Sequence, residues 1–232
     1  MADKTPVKKS TSSEIQAFIS KVNQLPVKSG QAGRLLFAID ATASREPTWD
    51  LACGIQGEMF TATKAIGGIS TQLCYYRGFH EFKYSPWYNN SEDLLRHMHQ
   101  VYCVGGQTQI GHVLQHALKQ HQQQKINSLI FIGDACEESA DTLADLAGQL
   151  GIHGVPIFIF HEGGNHTVRS IFQQLAKLSG GAYLPFNANS AKALSALLGA
   201  VAVYATGGMK ALKQHGDKEA VAMLTHQMGK DR

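Results

Sequence analysis

The sequence predicts a doubly wound α/β domain: a mostly parallel central sheet with helices on both faces and one short antiparallel edge strand. Three observations carry this. Continuous apolar runs of strand length recur at 35–39, 128–133 and 155–160, as expected of strands buried on both faces. Segments with helical spacing separate them, in the manner of βαβ units. Two of the runs lead directly into an aspartate, Asp40 and Asp134. Polar groups therefore gather at the carboxyl edge of the sheet, where open α/β folds bind ligands.

The elements follow in order. Residues 1–12 are polar and basic and are expected to be a disordered tail. Thr11-Ser12-Ser13-Glu14 has the form of a capping box, and Ile15, Phe18, Ile19, Val22 and Leu25 follow helical spacing up to Pro26. Residues 13–30 thus form an N-terminal helix and linker, and the main domain spans 33–204. It opens with a strand at 34–40. A helix over 49–66 follows, with Pro47 just ahead of it, then a strand at 69–77 and a short hairpin partner at 81–84. Pro86-Trp87-Tyr88-Asn89-Asn90 reads as a loop, and Ser91 as the cap of a helix over 92–102. Gly105-Gly106-Gln107-Thr108 breaks the chain before a helix at 109–123. Strand 128–133, helix 140–150, strand 155–160 and helix 168–178, closed by Gly180-Gly181, continue the alternation. A strand at 182–185 and a helix at 191–204 complete it. In the tail, 205–232, a weaker helix at 218–228 is positioned to fold back or to bind a partner.

Composition narrows the function. The chain has 232 residues, 44% of them hydrophobic, enough for a sizeable core. Its net charge of +3 comes largely from Lys4, Lys8 and Lys9, so no basic face points to nucleic acid. Cys53, Cys74, Cys103 and Cys136 contain no CxxC pair and read as reduced, structural thiols. No apolar signal core and no run of about 18 apolar residues is apparent, which points to a cytoplasmic protein with no membrane span. His112 and His116 share a helical face, but no HExxH pattern accompanies them, so they read as solvated or capping residues.

The chemistry concentrates at Asp40-Ala41-Thr42-Ala43-Ser44. One carboxylate and two hydroxyls at alternate positions past a strand end make a hard-oxygen set suited to Mg²⁺ or Mn²⁺. Alone, the pattern also fits simple helix capping. Thr108 opens a helix after a Gly-Gly turn, and Asp134 ends a second buried strand, so both fall at the same edge. In order and placement these residues resemble the von Willebrand factor A family, the integrin I-domain fold. Its metal-ion-dependent adhesion site reads Asp-x-Ser-x-Ser, then a distant Thr, then a distant Asp. The resemblance covers roughly 33–204. Thr42 stands where the family has its first serine, keeping the hydroxyl and adding a methyl. Glycine precedes Asp134 as Gly133, where the family often has it after.

The resemblance implies direct metal ligation by Thr42, Ser44 and Thr108, with Asp40 and Asp134 acting mainly through water. It implies no catalysis. A protein partner would supply a carboxylate to the cation. It also implies a small bacterial member serving a larger assembly, such as an AAA+ ATPase or a stress-response complex. The same signals fit a second reading, a haloacid-dehalogenase-like Mg²⁺ phosphohydrolase. There Asp40 is the nucleophile, Mg²⁺ bridges it to Asp134, Thr108 grips phosphate, and Glu137 and Glu138 add acids. The aspartate that serves such enzymes as general acid is Thr42 here, which removes a proton donor.

Overall fold

Hydrophobic alternation along β1 (Gly33–Asp40) organises the molecule. Leu35, Phe37 and Ile39 enter one core, and Leu36 and Ala38 enter a second on the opposite face. In the computed structural model, residues 32–186 and 191–228 are described; the expected basic tail and N-terminal helix lie outside them. Six strands form one sheet in the order β3-β2-β1-β4-β5-β6. They are β1, β2 (Ile69–Arg77), β3 (Glu81–Tyr88), β4 (Ser128–Gly133), β5 (Ile157–Glu162) and β6 (Ala182–Phe186). All neighbours pair in parallel except β3, which is antiparallel to β2.

Helices cover both faces. The first core packs beneath α1 (Glu46–Ile55), α2 (Gly57–Thr63), α3 (Ser91–Met98), α7 (Ala191–Gln214) and α8 (Lys218–Met228). The second packs beneath α4 (Ile110–Gln123), α5 (Ala140–Ile152) and α6 (His166–Ser179). Asn90, not Ser91, caps α3 by accepting from the Asp93 amide at 2.9 Å. Asn165 caps α6 in the same way.

Several expectations are corrected. The helix expected over 49–66 is α1 and α2, followed by a 3-10 turn at Lys64–Ile66. The expected loop at Pro86–Tyr88 belongs to β3. An irregularity opposite Leu73 accommodates Ser85 and Pro86, and the Ser85 hydroxyl accepts the Leu73 amide at 3.0 Å in place of a ladder bond. The proline therefore sits on an edge strand, where its missing N–H matters least. The helix expected over 92–102 stops at Met98.

Helix α7 runs past 204 and breaks at Gly208 (φ +66°, ψ −164°), a conformation open to glycine. By length and composition alone α7 is apolar enough to cross a membrane, with mean hydropathy 1.3. However, Leu194, Leu197, Leu198 and Val201 are buried in the first core, as expected of a core helix. Helix α8 folds back, burying Ala220 and Leu224. Its Gln227 side chain bonds both the N–H and the C=O of Tyr183 at 2.8 Å, which occupies backbone groups of edge strand β6.

His116 is not solvated. It is buried between Phe82 and Tyr84, and its Nε2 lies 2.9 Å from Gln72 Oε1. Burial, reinforced by the Lys119 charge, pushes its pKa down to about 4. The unfolded chain then binds a proton below pH 6.5 that the folded chain refuses until about 4. Stability is expected to fall as pH drops through that window and to level off below it. His116→Gln should remove on the order of 2 kcal/mol of this acid sensitivity. Parallel stability–pH curves for the two proteins would contradict this.

Candidate metal centre

Asp40, the last residue of β1, stands at the carboxyl edge with its carboxylate fully engaged. The Thr42 amide donates to one oxygen at 2.8 Å, and the Tyr76 hydroxyl donates to the other at 3.0 Å. The first contact folds the chain back past the strand end. The second fixes the carboxylate against β2. Burial raises the Asp40 carboxyl above its usual range; the Thr42 and Tyr76 bonds oppose this, and the Asp134 charge adds to it. Burial, then the charge of Asp40, pushes the Tyr76 phenol well up, so it remains a neutral donor.

All five residues expected at the site line one cleft of about 190 Å³: Asp40, Thr42, Ser44, Thr108 and Asp134, together with Gly105, Gly106 and Glu137. Three elements bring them there. The loop after β1 carries Thr42 and Ser44. The segment before α4 carries Thr108. The end of β4, which pairs with β1 in parallel, carries Asp134. Gly106 makes the wall possible, because a Cβ there would lie 2.0 Å from the Gly78 carbonyl oxygen.

The loop after β4 also manages the end of α4. Glu138 accepts the Ile110 and Gly111 amides at 2.5 and 2.8 Å, and Glu137 accepts the Thr108 amide at 3.0 Å. The Glu137 amide in turn donates to the Thr108 hydroxyl at 3.0 Å. These carboxylates cap a helix N-terminus whose dipole would otherwise place positive potential beside the cleft. The donor set of hydroxyl and carboxylate oxygens suits a hard divalent cation. Among the described residues, no group of three or more His, Cys, Asp or Glu side chains forms a metal-holding cluster.

Sequence reasoning missed Arg45. Its guanidinium is buried, 2.7 Å from Glu162 and 3.5 Å from Asp134, and it also donates to the Ser44 carbonyl at 3.1 Å. The Thr48 hydroxyl donates to the same Glu162 carboxylate. Arg45 thus ties the loop after β1 to the ends of β4 and β5. Only a strand at 157–162 rather than 155–160 would have placed Glu162 at this edge.

Comparison of structures identifies the architecture. The SpRpn10 VWA domain superposes with a TM-score of 0.55 at 16% identity, covering 68% of this chain and 89% of that one. A von Willebrand factor type A protein from Catenulispora acidiphila gives 0.62 at 13% identity, covering 76% and 43%. This chain has the von Willebrand factor A fold. Proximal thread matrix protein 1 from the mussel byssus, solved with a zinc-occupied metal-ion-dependent adhesion site, gives 0.58 at 14% identity, covering 84% and 53%. The chain spans about half or less of the length of the latter two structures. No family model and no curated protein matches its sequence. In the VWA fold, the cleft at the ends of β1 and β4 occupies the carboxyl edge where the sequence places its oxygen cluster.

Proposed function

We propose that this chain is a metal-dependent protein-interaction module, with Mg²⁺ or Mn²⁺ held by Asp40, Thr42, Ser44, Thr108 and Asp134. The carrying observation is the convergence of these five residues on one cleft of a VWA fold. The zinc-occupied site of the mussel protein supports a divalent cation in this type of cleft. When bound, the cation supplies a Lewis-acidic position that a partner's carboxylate can occupy by displacing water. Thr42, Ser44 and Thr108 contribute neutral oxygens, which leaves the cation under-neutralised and receptive to that carboxylate. Asp40 orients the loop that carries two of the hydroxyls. The partner is a protein, such as an AAA+ ATPase or a stress-response complex, and the compartment is the cytoplasm. Free thiols at Cys53, Cys74, Cys103 and Cys136 support a reducing compartment.

The phosphohydrolase reading has less support. Glu137 and Glu138, which it would use as site acids, are committed to backbone amides of the α4 N-terminus. In Mg²⁺, p-nitrophenyl phosphate is expected to undergo no Asp40-dependent hydrolysis, and turnover abolished by Asp40→Asn would favour the enzyme. For the interaction reading, the test is affinity capture from native lysate with wild type and Asp40→Asn, each in Mg²⁺ and in EDTA. A partner held only by wild type with Mg²⁺ is the expected result. A partner held equally in all four samples would overturn it.

A further inference from the structure

Two exposed aromatic residues lie on the backbone segments that border the cleft. Phe79 is 71% exposed and Tyr102 is 67% exposed; among the described large apolar residues only Ile152, at the far end of α5 on the opposite edge, is more so. Neither belongs to either core. Exposed aromatics on loops at a binding edge are the residues that most often anchor protein contacts.

Both are fixed to the cleft through the backbone. Val104 N–H donates to the Ala41 carbonyl at 3.0 Å, Gly78 N–H to the Val104 carbonyl at 3.3 Å, and Gln107 N–H to the Gly78 carbonyl at 3.2 Å. The chain next to Tyr102 and the turn holding Phe79 are thereby laced to each other and to the residue between Asp40 and Thr42. The same segment supplies Gly105 and Gly106 to the cleft.

The presentation of Tyr102 is restrained as well. Arg77 donates to the Tyr102 carbonyl at 2.8 Å and lies 4.1 Å from the centre of its ring. Phe79 sits between Gly78 (φ +56°) and His80 (φ +68°), the latter being the one non-glycine residue at positive φ among those described. The Tyr102 ring, already packed on the Arg77 guanidinium, loses little freedom on contact.

We infer that Phe79 and Tyr102 form an apolar rim to the metal cleft, and that the partner segment carries a bulky apolar side chain close to its acidic residue. This rests on the proposed metal-dependent reading and adds what the cleft alone leaves open. The carboxylate meets the cation, and the neighbouring apolar group meets the two rings. Acidic segments flanked only by small polar residues engage half of this surface.

The test is selection from a random heptapeptide phage library on wild type in Mg²⁺, eluted with EDTA. The same selection is run on a Phe79→Ser/Tyr102→Ser variant, whose changes lie at exposed positions outside both cores. The expected peptides from wild type hold Asp or Glu within three positions of Phe, Trp, Tyr, Leu or Ile, enriched several-fold over the library. On the variant, the acid remains enriched and the apolar neighbour returns to library frequency. Acidic peptides with no apolar neighbour on wild type, or an unchanged apolar preference on the variant, would overturn the rim and leave the cleft reading intact. No acid enrichment in the EDTA eluate would overturn both.

Discussion

Asp40→Asn is expected to cut affinity for Mg²⁺ and Mn²⁺ on the order of 100-fold, the upper range for groups that orient a metal's ligands. The fold should persist. Asparagine keeps an oxygen for the Thr42 amide and a polar group facing the Tyr76 hydroxyl, whereas alanine would leave that buried hydroxyl without its partner. Thermal melts separate the two effects. At a metal concentration 100 times its Kd, wild type should gain about 2.7 kcal/mol, or roughly 5–10 °C in a domain of this size. The variant should show almost none of that shift. In the metal-free protein the sign with pH is fixed by the raised Asp40 carboxyl. The folded state holds that proton more tightly than the unfolded chain. The Asp40 contribution to stability should therefore fall as pH rises from the ordinary carboxylate range, opposite in sign to that of His116, and Asp40→Asn should remove this contribution from the metal-free stability–pH curve. A variant that melts and shifts with Mg²⁺ as wild type does would remove Asp40 from the site.

Arg45→Met should produce the largest loss of stability. Removing one member of a buried ion pair strands the other, at about 3–5 kcal/mol. Glu162 and Asp134 keep some solvent contact, with side chains 18% and 27% exposed, which places the expected cost near the lower end, about 3 kcal/mol. The loss should appear in urea unfolding in EDTA, where no cation compensates. Arg45→Met/Glu162→Met should recover part of it, because the more buried carboxylate is then gone and only the more exposed Asp134 is left without the guanidinium. Arg45 supplies no oxygen to the cleft, so metal affinity should fall less than with Asp40→Asn. A loss below about 1 kcal/mol would mean that water already solvates this cluster.

Much of the site was legible because its pieces sit where local signals are strong. The buried runs 35–39 and 128–133 are bounded by Asp40 and Asp134, and a parallel pairing brings their ends together. Gly105-Gly106 marks Thr108 by breaking the pattern ahead of α4. The illegible parts depend on distance in sequence. Arg45 meets Glu162 across 117 positions, and nothing near either residue announces the pairing. Glu137 and Glu138 read as free acids because their partners, the first amides of α4, become visible only when the loop after β4 is placed against that helix. Pro86 misled for a local reason. A proline normally ends a strand, but here it lies at an irregularity on an edge strand. At the C-terminal end, the break at Gly208 and the Gln227 contact with Tyr183 turn weak helical patterns into part of the core layer.

One divalent cation is expected to bind at the cleft between β1, β4 and the segment before α4. Amide NMR spectra of the protein titrated with Mn²⁺ test it most directly, because paramagnetic broadening reports position. The signals of Thr42, Ser44, Gly105, Gly106, Thr108 and Asp134 are expected to disappear first. Excess Mg²⁺ should restore them, and Asp40→Asn should shift the loss to Mn²⁺ concentrations on the order of 100-fold higher. Broadening centred elsewhere, such as around His112 and His116, or no localised broadening at all, would contradict it.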